Sequence, residues 1–287
     1  MKFKFILNHE NEFDVIRMCR VLEVKRSSYY AWKKRPLSKR NQENMELLKE
    51  IKEIFYDNFE TYGSPRIFEC LKKSGKSCSK KRVATLMCNN NIVSKIKKRK
   101  FRNKAGSVPA DEAFPNIVNR NFTPDKPNQV WVTDITYIES EIGWLFLCTF
   151  IDLFSRKIVG WSVDDNMKTS MVIEALSMAC KNRNPKKGLI IHSDQGSQYG
   201  SKEYKGFLKR HEFTQSMSRR GNCWDNACAE TFYKTLKIEE LYDQKIVDVK
   251  HLKWLLFKYI DVFYNKKRIH STLNYLSPEE FEKKLVA

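Results

Sequence analysis

The chain lacks several features that would settle its class at once. The ~18 consecutive apolar residues of a transmembrane helix occur nowhere, and no amphipathic anchor pattern replaces them. No membrane partner is expected. Met1 to Asn8 is too short and too charged to read as a secretory signal. Eight cysteines are scattered without a Cys-x-x-Cys pair, and Cys223 and Cys228 lack zinc-ligand spacing. They read as reduced thiols in a cytoplasmic protein. There is no internal repeat and no low-complexity tract. Acidic residues are scarce: 34 Asp and Glu stand against 53 Lys and Arg, a formal charge of +19.

What is present is unevenly placed. Residues 1–104 hold 27 basic and 11 acidic residues, a net of +16, while the remainder nets only +3. An N-terminal third this basic calls for a polyanion, most simply nucleic acid. Its patterning is helical. Residues 12–34 read as two short helices, with Phe13, Ile16 and Cys19 on one face and Ser27 as a cap. This is a helix-turn-helix or a plain helical hairpin. Residues 41–59 form an amphipathic helix through Leu47, Leu48, Ile51, Ile54 and Phe55. A helix from Pro65 and another from Lys80, capped by Ser79, make a second helix-turn-helix candidate. Lys80, Lys81 and Arg82 sit near a helix N-terminus, where phosphates bind. Residues 95–104 carry seven basic side chains, Lys97, Lys98, Arg99 and Lys100 among them. That run reads as a solvated linker able to track a phosphate backbone.

From residue 128 the texture changes to strands at 130–138, 144–151 and 157–162. A helix at 170–181, a strand at 189–193, a helix at 201–210, a strand at 213–217 and a helix from Asp225 to Lys237 follow. Three hairpin-like strands followed by alternating helix and strand predict an α/β mixed sheet. A last amphipathic helix covers 252–264. The expected division is 1–60 helical with the first candidate motif, and 61–104 with the second motif and the basic run. A linker at 105–127, a core at 128–240 and a helical extension at 241–287 complete it.

Three acids carry the functional argument. Asp134 lies in the alternating run Val130 to Ile138, Asp194 ends the apolar run Leu189 to Ser193, and Glu230 lies on a helix. Each alone has an ordinary alternative: an edge-strand Asp facing water, a turn Asp before Gln195-Gly196, a solvated helical Glu. Together they are oxygen ligands of the kind that bind hard divalent cations. Asn226, Lys234 and Lys237 fall near one helix face with Glu230, useful if the substrate is a phosphodiester. Asp225 reads as the helix cap. Asp152 reads as a structural partner of Arg156.

At these residues the chain resembles the insertion-sequence-three family of transposases, in its catalytic second-frame (OrfB) form. The matching segments are Trp131 to Tyr137, Ile151 to Trp161, His192 to Tyr199, Ser216 to Ala227, Tyr264 to His270 and Leu276 to Phe281. Ser27 to Trp32 and Tyr62 to Ile67, which contains Arg66, match as well. The resemblance implies a ribonuclease-H-like catalytic core shared with retroviral integrases, preceded by an all-helical DNA-binding region. It implies Asp134, Asp194 and Glu230 as ligands of two Mg²⁺, with Mn²⁺ as substitute, and Lys237 as a contact to terminal DNA. The expected substrate is double-stranded DNA, both the element's terminal inverted repeats and the target, in a bacterial, nucleoid-associated setting. The reaction implied is cleavage at the element ends and joining of the 3′-hydroxyl, along a copy-out, paste-in route. A homodimer or higher assembly on DNA is expected, with a first-frame protein or fusion as a further partner, since no zipper heptads are present. Arg66, Lys80, Lys81, Arg82, Lys97, Lys98, Arg99, Lys100, Asn226, Lys234 and Lys237 are the candidate DNA contacts. Two rival readings are a non-catalytic DNA-binding regulator and a nuclease that cuts without joining.

The charge asymmetry makes DNA binding steeply salt-dependent. The logarithm of affinity should fall linearly with the logarithm of salt concentration in a filter-binding titration. A flat response would remove the basic third from the interface.

Overall fold

Capping residues and hydrophobic periodicity set most of the elements of the chain. The computed structural model describes residues 1–35, 38–95 and 114–286. Lys97, Lys98, Arg99 and Lys100 lie outside the described residues, as do residues 105–113 of the expected linker.

Three short helices open the chain, α1 (Lys2–Asn8), α2 (Val15–Val21) and α3 (Arg26–Lys34). They close on a small core of their own, formed by Ile6, Met18, Cys19 and Tyr29. The last two are the predicted pair. Helix α1 is additional, and it puts Phe3 and Ile6 on that core. The expected apolar face needs correction: Phe13 and Ile16 are exposed, while Met18 and Cys19 are buried. The reason is the cap. The Asp14 carboxylate accepts the Arg17 N–H at 3.2 Å, so the helix starts after Phe13. Ser27 caps nothing; it lies in the first turn of α3, and Lys25 stands at the cap position.

Helix α4 (Lys39–Asp57) starts at Ser38, whose hydroxyl accepts the Asn41 N–H at 3.3 Å, and buries Leu47, Ile51 and Phe55. Helix α5 (Ser64–Lys73) carries Pro65 in its first turn, where a missing N–H is harmless. Helix α6 (Lys80–Asn89) starts at Ser79, which accepts the Arg82 N–H at 3.1 Å. Unlike α1–α3, these helices share a hydrophobic core with the sheet and the C-terminal helices. Tyr62 is one tie. Its hydroxyl accepts the Ile269 N–H at 2.9 Å and donates to the Lys267 carbonyl at 3.3 Å. Glu239 is another. It is buried against the Arg268 guanidinium at 2.7 Å and the Tyr259 hydroxyl at 2.7 Å, with Arg66 of α5 at 3.6 Å.

The sheet has five strands: β1 (Val130–Ser140), β2 (Gly143–Asp152), β3 (Ile158–Asp164), β4 (Ile190–Ser193) and β5 (Thr214–Met217). Their order is β3-β2-β1-β4-β5. The first three form an antiparallel meander, and β4 and β5 add in parallel beside β1. This is the expected mixed sheet. One face, with Trp131, Cys148, Phe150 and Val159, packs on α7 (Thr169–Arg183), α8 (Ser197–Gly200) and α9 (Lys202–Arg210). The other face, with Val132, Leu147 and Ile151, is covered by α10 (Ala227–Leu236) and α11 (Val249–Leu256). A 3-10 turn, Cys223–Asn226, precedes α10, and a wide π-helical turn, Lys237–Leu241, continues it. Helix α11 also loosens into a π-helical segment, Phe257–Tyr264, so the single helix expected at 252–264 begins earlier and changes pitch.

Helix α12 (Pro278–Val286) returns to the sheet edge, where Glu282 meets Arg183 at 2.8 Å. Asp152 belongs to this cluster, which corrects its expected pairing. It is fully buried, held by Arg183 at 3.1 Å and by the N–H groups of Asn128 and Phe154 at 2.9 and 3.0 Å. Arg156 instead reaches the Phe122 carbonyl at 3.0 Å. Among the described residues, no helix is long and apolar enough to cross a membrane.

Gly160 of β3 lets α7 approach: a Cβ there would stand 2.2 Å from the Ala175 carbonyl oxygen and 2.6 Å from the Ala179 nitrogen. Both are backbone atoms and cannot swing away. Gly160→Ala should therefore cost about 1–3 kcal/mol, seen as a lower urea midpoint at unchanged slope. An unchanged midpoint would mean that α7 sits farther out.

Candidate active site

Strand pairing brings two of the three acids level. In the parallel ladder, Val130, Trp131 and Val132 of β1 oppose Ile190, Ile191 and His192 of β4. Two residues on, Asp134 and Asp194 occupy corresponding positions, Asp194 just past the carboxyl end of β4. That is where open α/β sheets hold ligands. Strand alternation puts Asp134 on the face of Val132, the face covered by α10. Asp134 is 5% exposed and Asp194 is half-buried. Both carboxylates are oriented by neighbouring backbone. Asp134 Oδ1 accepts the Ile135 N–H at 2.9 Å, and Asp194 Oδ1 accepts the Gly196 N–H at 3.0 Å. Asp194 thus takes the expected turn role at the carboxyl end of β4.

The two charges act on the same buried groups. Burial pushes the Cys148 thiol up to about 12, and the fields of Asp134 and Asp194 add to that. Tyr199 is held well above its ordinary range by burial, again reinforced by both carboxylates.

Helix α10 brings the third acid. Asn226 Nδ2 donates to the Thr133 carbonyl at 3.1 Å. The Tyr233 hydroxyl donates to the Asp134 carbonyl and accepts the Thr149 hydroxyl at 2.9 Å. These bonds clamp α10 to β1 on both sides of Asp134. Glu230 lies four residues after Asn226 and three before Tyr233, on that same helix face, and is half-buried. The three elements therefore converge. Their side chains stop short of a closed cage: among the described residues, no three His, Cys, Asp or Glu groups stand together as a metal site. The donor chemistry still fits a hard divalent cation. It consists of three carboxylates on converging elements, with Asn226 Oδ1 beside them, buried and without a hydrogen-bond partner.

The predicted DNA contacts separate into two groups. Lys80, Lys81 and Lys234 face solvent, and Lys237 is half-buried. Arg66 turns inward, toward Glu239 and over the Tyr62 ring at 5.4 Å. Arg82 is bound to α4 through Asn44 at 2.7 Å and Glu43 at 3.3 Å. Asn226 is buried on β1.

The structure also gives several residues roles that the sequence did not show. Asp225 caps no helix. It is fully buried, and its carboxylate accepts from Arg219 at 2.8 and 2.9 Å, from Arg120 at 2.9 Å and from Asn116 at 3.0 Å. The Arg219 bonds hold that carboxyl far below the usual range. His192 is fully buried between the Ser216 and Ser218 hydroxyls at 2.9 and 3.1 Å, and burial pushes its pKa down. Tyr233 had one available signal: its spacing from Asn226 and Glu230.

The chain as a whole is similar in sequence to known families and proteins. Residues 124–223 match a family described as an integrase core domain, and residues 230–285 match a second family of that description. Residues 42–100 match an HTH-like domain. The chain is 37% identical to the transposase InsF for insertion sequence IS3A of Escherichia coli (strain K12), with 100% of each chain covered. It is 41% identical to the transposase for insertion sequence element IS904 of Lactococcus lactis subsp. lactis (strain IL1403), over 86% of this chain and 97% of that one. Among solved structures, the HTLV-2 integrase catalytic core domain in complex with magnesium aligns at 18% identity and a TM-score of 0.42, covering 54% of this chain and 97% of that one.

Tyr233→Phe removes one hydroxyl that serves both β1 and β2. It should lower stability by about 1–3 kcal/mol, read from chemical denaturation. Wild-type stability would show that the clamp does not form.

Proposed function

The chain belongs to the IS3 family of insertion-sequence transposases, and we propose that it cuts the ends of its element and joins the freed 3′-hydroxyls to a second DNA. Membership makes it an enzyme with an integrase catalytic core, of the DDE polynucleotidyl-transferase class. The observation that carries the finer reading is the level placement of Asp134 and Asp194 on paired strands, with the face of Glu230 clamped over them.

In this reading Asp134, Asp194 and Glu230 hold two Mg²⁺, or Mn²⁺ in substitution. Bound there, the metal would polarise the phosphate, activate an oxygen nucleophile and stabilise the leaving oxygen. The protein's own groups do the positioning. Tyr233 and Asn226 fix β1 against α10, so the carboxylates approach a phosphate from converging backbones. Lys237 and Lys234, farther along the face of Glu230, attract the phosphates beside the scissile bond. In the first transfer a water oxygen bonds to phosphorus and the 3′-oxygen leaves as a hydroxyl. In the second, that hydroxyl bonds to a target phosphorus and displaces another 3′-oxygen. No side-chain nucleophile is required.

DNA recognition is assigned to residues 1–104, with Lys80 and Lys81 on the surface of the described helices, and catalysis to residues 128–240. Residues 105–127 link them, and 241–287 extend the core. Two ends must meet, so the working form on DNA is at least a dimer, and a first-frame protein or fusion is a candidate partner in reading the repeats.

Asp134→Asn, Asp194→Asn and Glu230→Gln should each abolish cleavage and joining while leaving DNA binding intact. Labelled element-end DNA incubated with Mg²⁺ reads this directly. Joined product at the wild-type rate from any variant removes that residue from the site. Cut product alone from the wild-type chain would make it a nuclease, and bound DNA alone a regulator.

A further inference from the structure

The segment between β5 and α10 is pinned at both ends beside the acids. At its start the Ser218 N–H donates to the Ser193 carbonyl at 2.8 Å, and Gln195 Nε2 donates to the Ser218 carbonyl at 3.1 Å. These bonds tie it to residues on either side of Asp194. At its end Asp225 is buried under Arg219, Arg120 and Asn116, and Asn226 is bonded to Thr133, the residue before Asp134. Glu230 follows one helical turn later. Between these anchors Gly221 turns the chain at a φ of +70°. Trp224 then stands out with 70% of its surface exposed. Isolated exposed apolar residues are ordinary. This one is distinguished by its mounting. A buried carboxylate held by two arginines contributes little net stability but fixes geometry, and it fixes the residue next to Trp224. The surroundings are cationic: Arg219 and Arg220 are exposed, and the Arg120 side chain is 47% exposed.

We propose that Trp224 is a stacking platform for an unpaired base at the DNA end, with Arg219 and Arg220 meeting the phosphates beside it. This rests on the reading of Asp134, Asp194 and Glu230 as the site where DNA is cut. Opening the base pair beside the scissile phosphate would ease its approach to Asp134, which is 5% exposed, and to the half-buried Asp194 and Glu230. A base lifted from its stack needs an aromatic face to replace the one it loses. The indole is carried on a residue next to the fixed Asp225, is bare, has Arg219 and Arg220 nearby in the chain and lies six residues from Glu230, which suits that role. Its sequence tolerance is a further expectation, since every base has a π-face.

The test uses the full chain without divalent metal, so that binding is read apart from chemistry. The probes are a duplex with a short single-stranded overhang carrying 2-aminopurine and a fully paired duplex of the same length. Wild-type protein should quench the overhang fluorescence. Trp224→Ala should abolish the quenching and weaken overhang binding roughly fivefold to a hundredfold, with binding of the paired duplex unchanged. Trp224→Tyr should restore most of both. Undiminished quenching by Trp224→Ala overturns the proposal. So does an equal loss on both duplexes, which would make the residue structural. Quenching that survives in Asp134→Asn, whether or not wild-type protein cuts DNA, keeps this inference separate from the acid-site reading.

Discussion

The parallel pairing of β1 with β4 is the constraint on which the rest depends. Three consecutive backbone pairs between these strands set the register, and that register alone brings Asp134 level with Asp194. A slip of one residue would carry Asp194 to the opposite face, toward α7 and away from α10. The core guards against this. Trp131 and Ile191 are buried on one side and Val132 on the other, so neither strand can shift without exposing large apolar groups. The hydrophobic pattern of two short strands thus aims two carboxylates lying far apart in the chain. Helix α10 is held in place by polar bonds from Asn226 and Tyr233 to carbonyl groups of that same strand.

Buried ion pairs recur wherever distant segments must hold a fixed relation. Asp152 with Arg183 and Glu282 joins the end of β2, α7 and α12. Asp225 with Arg219 and Arg120 holds the entry to α10 against the segment before β1. Glu239 with Arg268 and Arg66 joins the continuation of α10, the C-terminal extension and α5. Each carboxylate is nearly or fully buried, and each meets more than one donor. Such clusters are a poor source of net stability, because desolvation consumes most of the attraction. Their value is directional: a guanidinium fork and a carboxylate define an orientation that apolar packing does not.

Strands and helices were legible because period-two and period-3.6 patterns are strong in this chain, and Ser79 and Pro65 mark helix starts with local chemistry. The acids were legible through their contexts and through the family resemblance. What stayed hidden depended on partners remote in sequence. Arg66 reads as a candidate DNA contact in a segment that matches the family; only folding reveals Glu239 beside it. Asp225 has the look of a cap until Arg120, from before the sheet, arrives to neutralise it. Tyr233 resembles any core aromatic of an amphipathic helix, since a hydroxyl's acceptor cannot be read from periodicity. The π-helical turns after Leu236 and Leu256 leave no mark in the residue pattern.

The knot around Glu239 sets a length. Helix α5 belongs to the HTH-like stretch, and Arg66 fastens it two residues beyond Lys237, while Tyr62 fastens the preceding loop to the backbone at Ile269. The described helix α5 is thereby fixed to the continuation of α10, so that under the proposed function DNA bound by that stretch would meet the carboxylates at a set spacing. The protein would measure out its cutting point like a caliper, rather than reach for it on a leash.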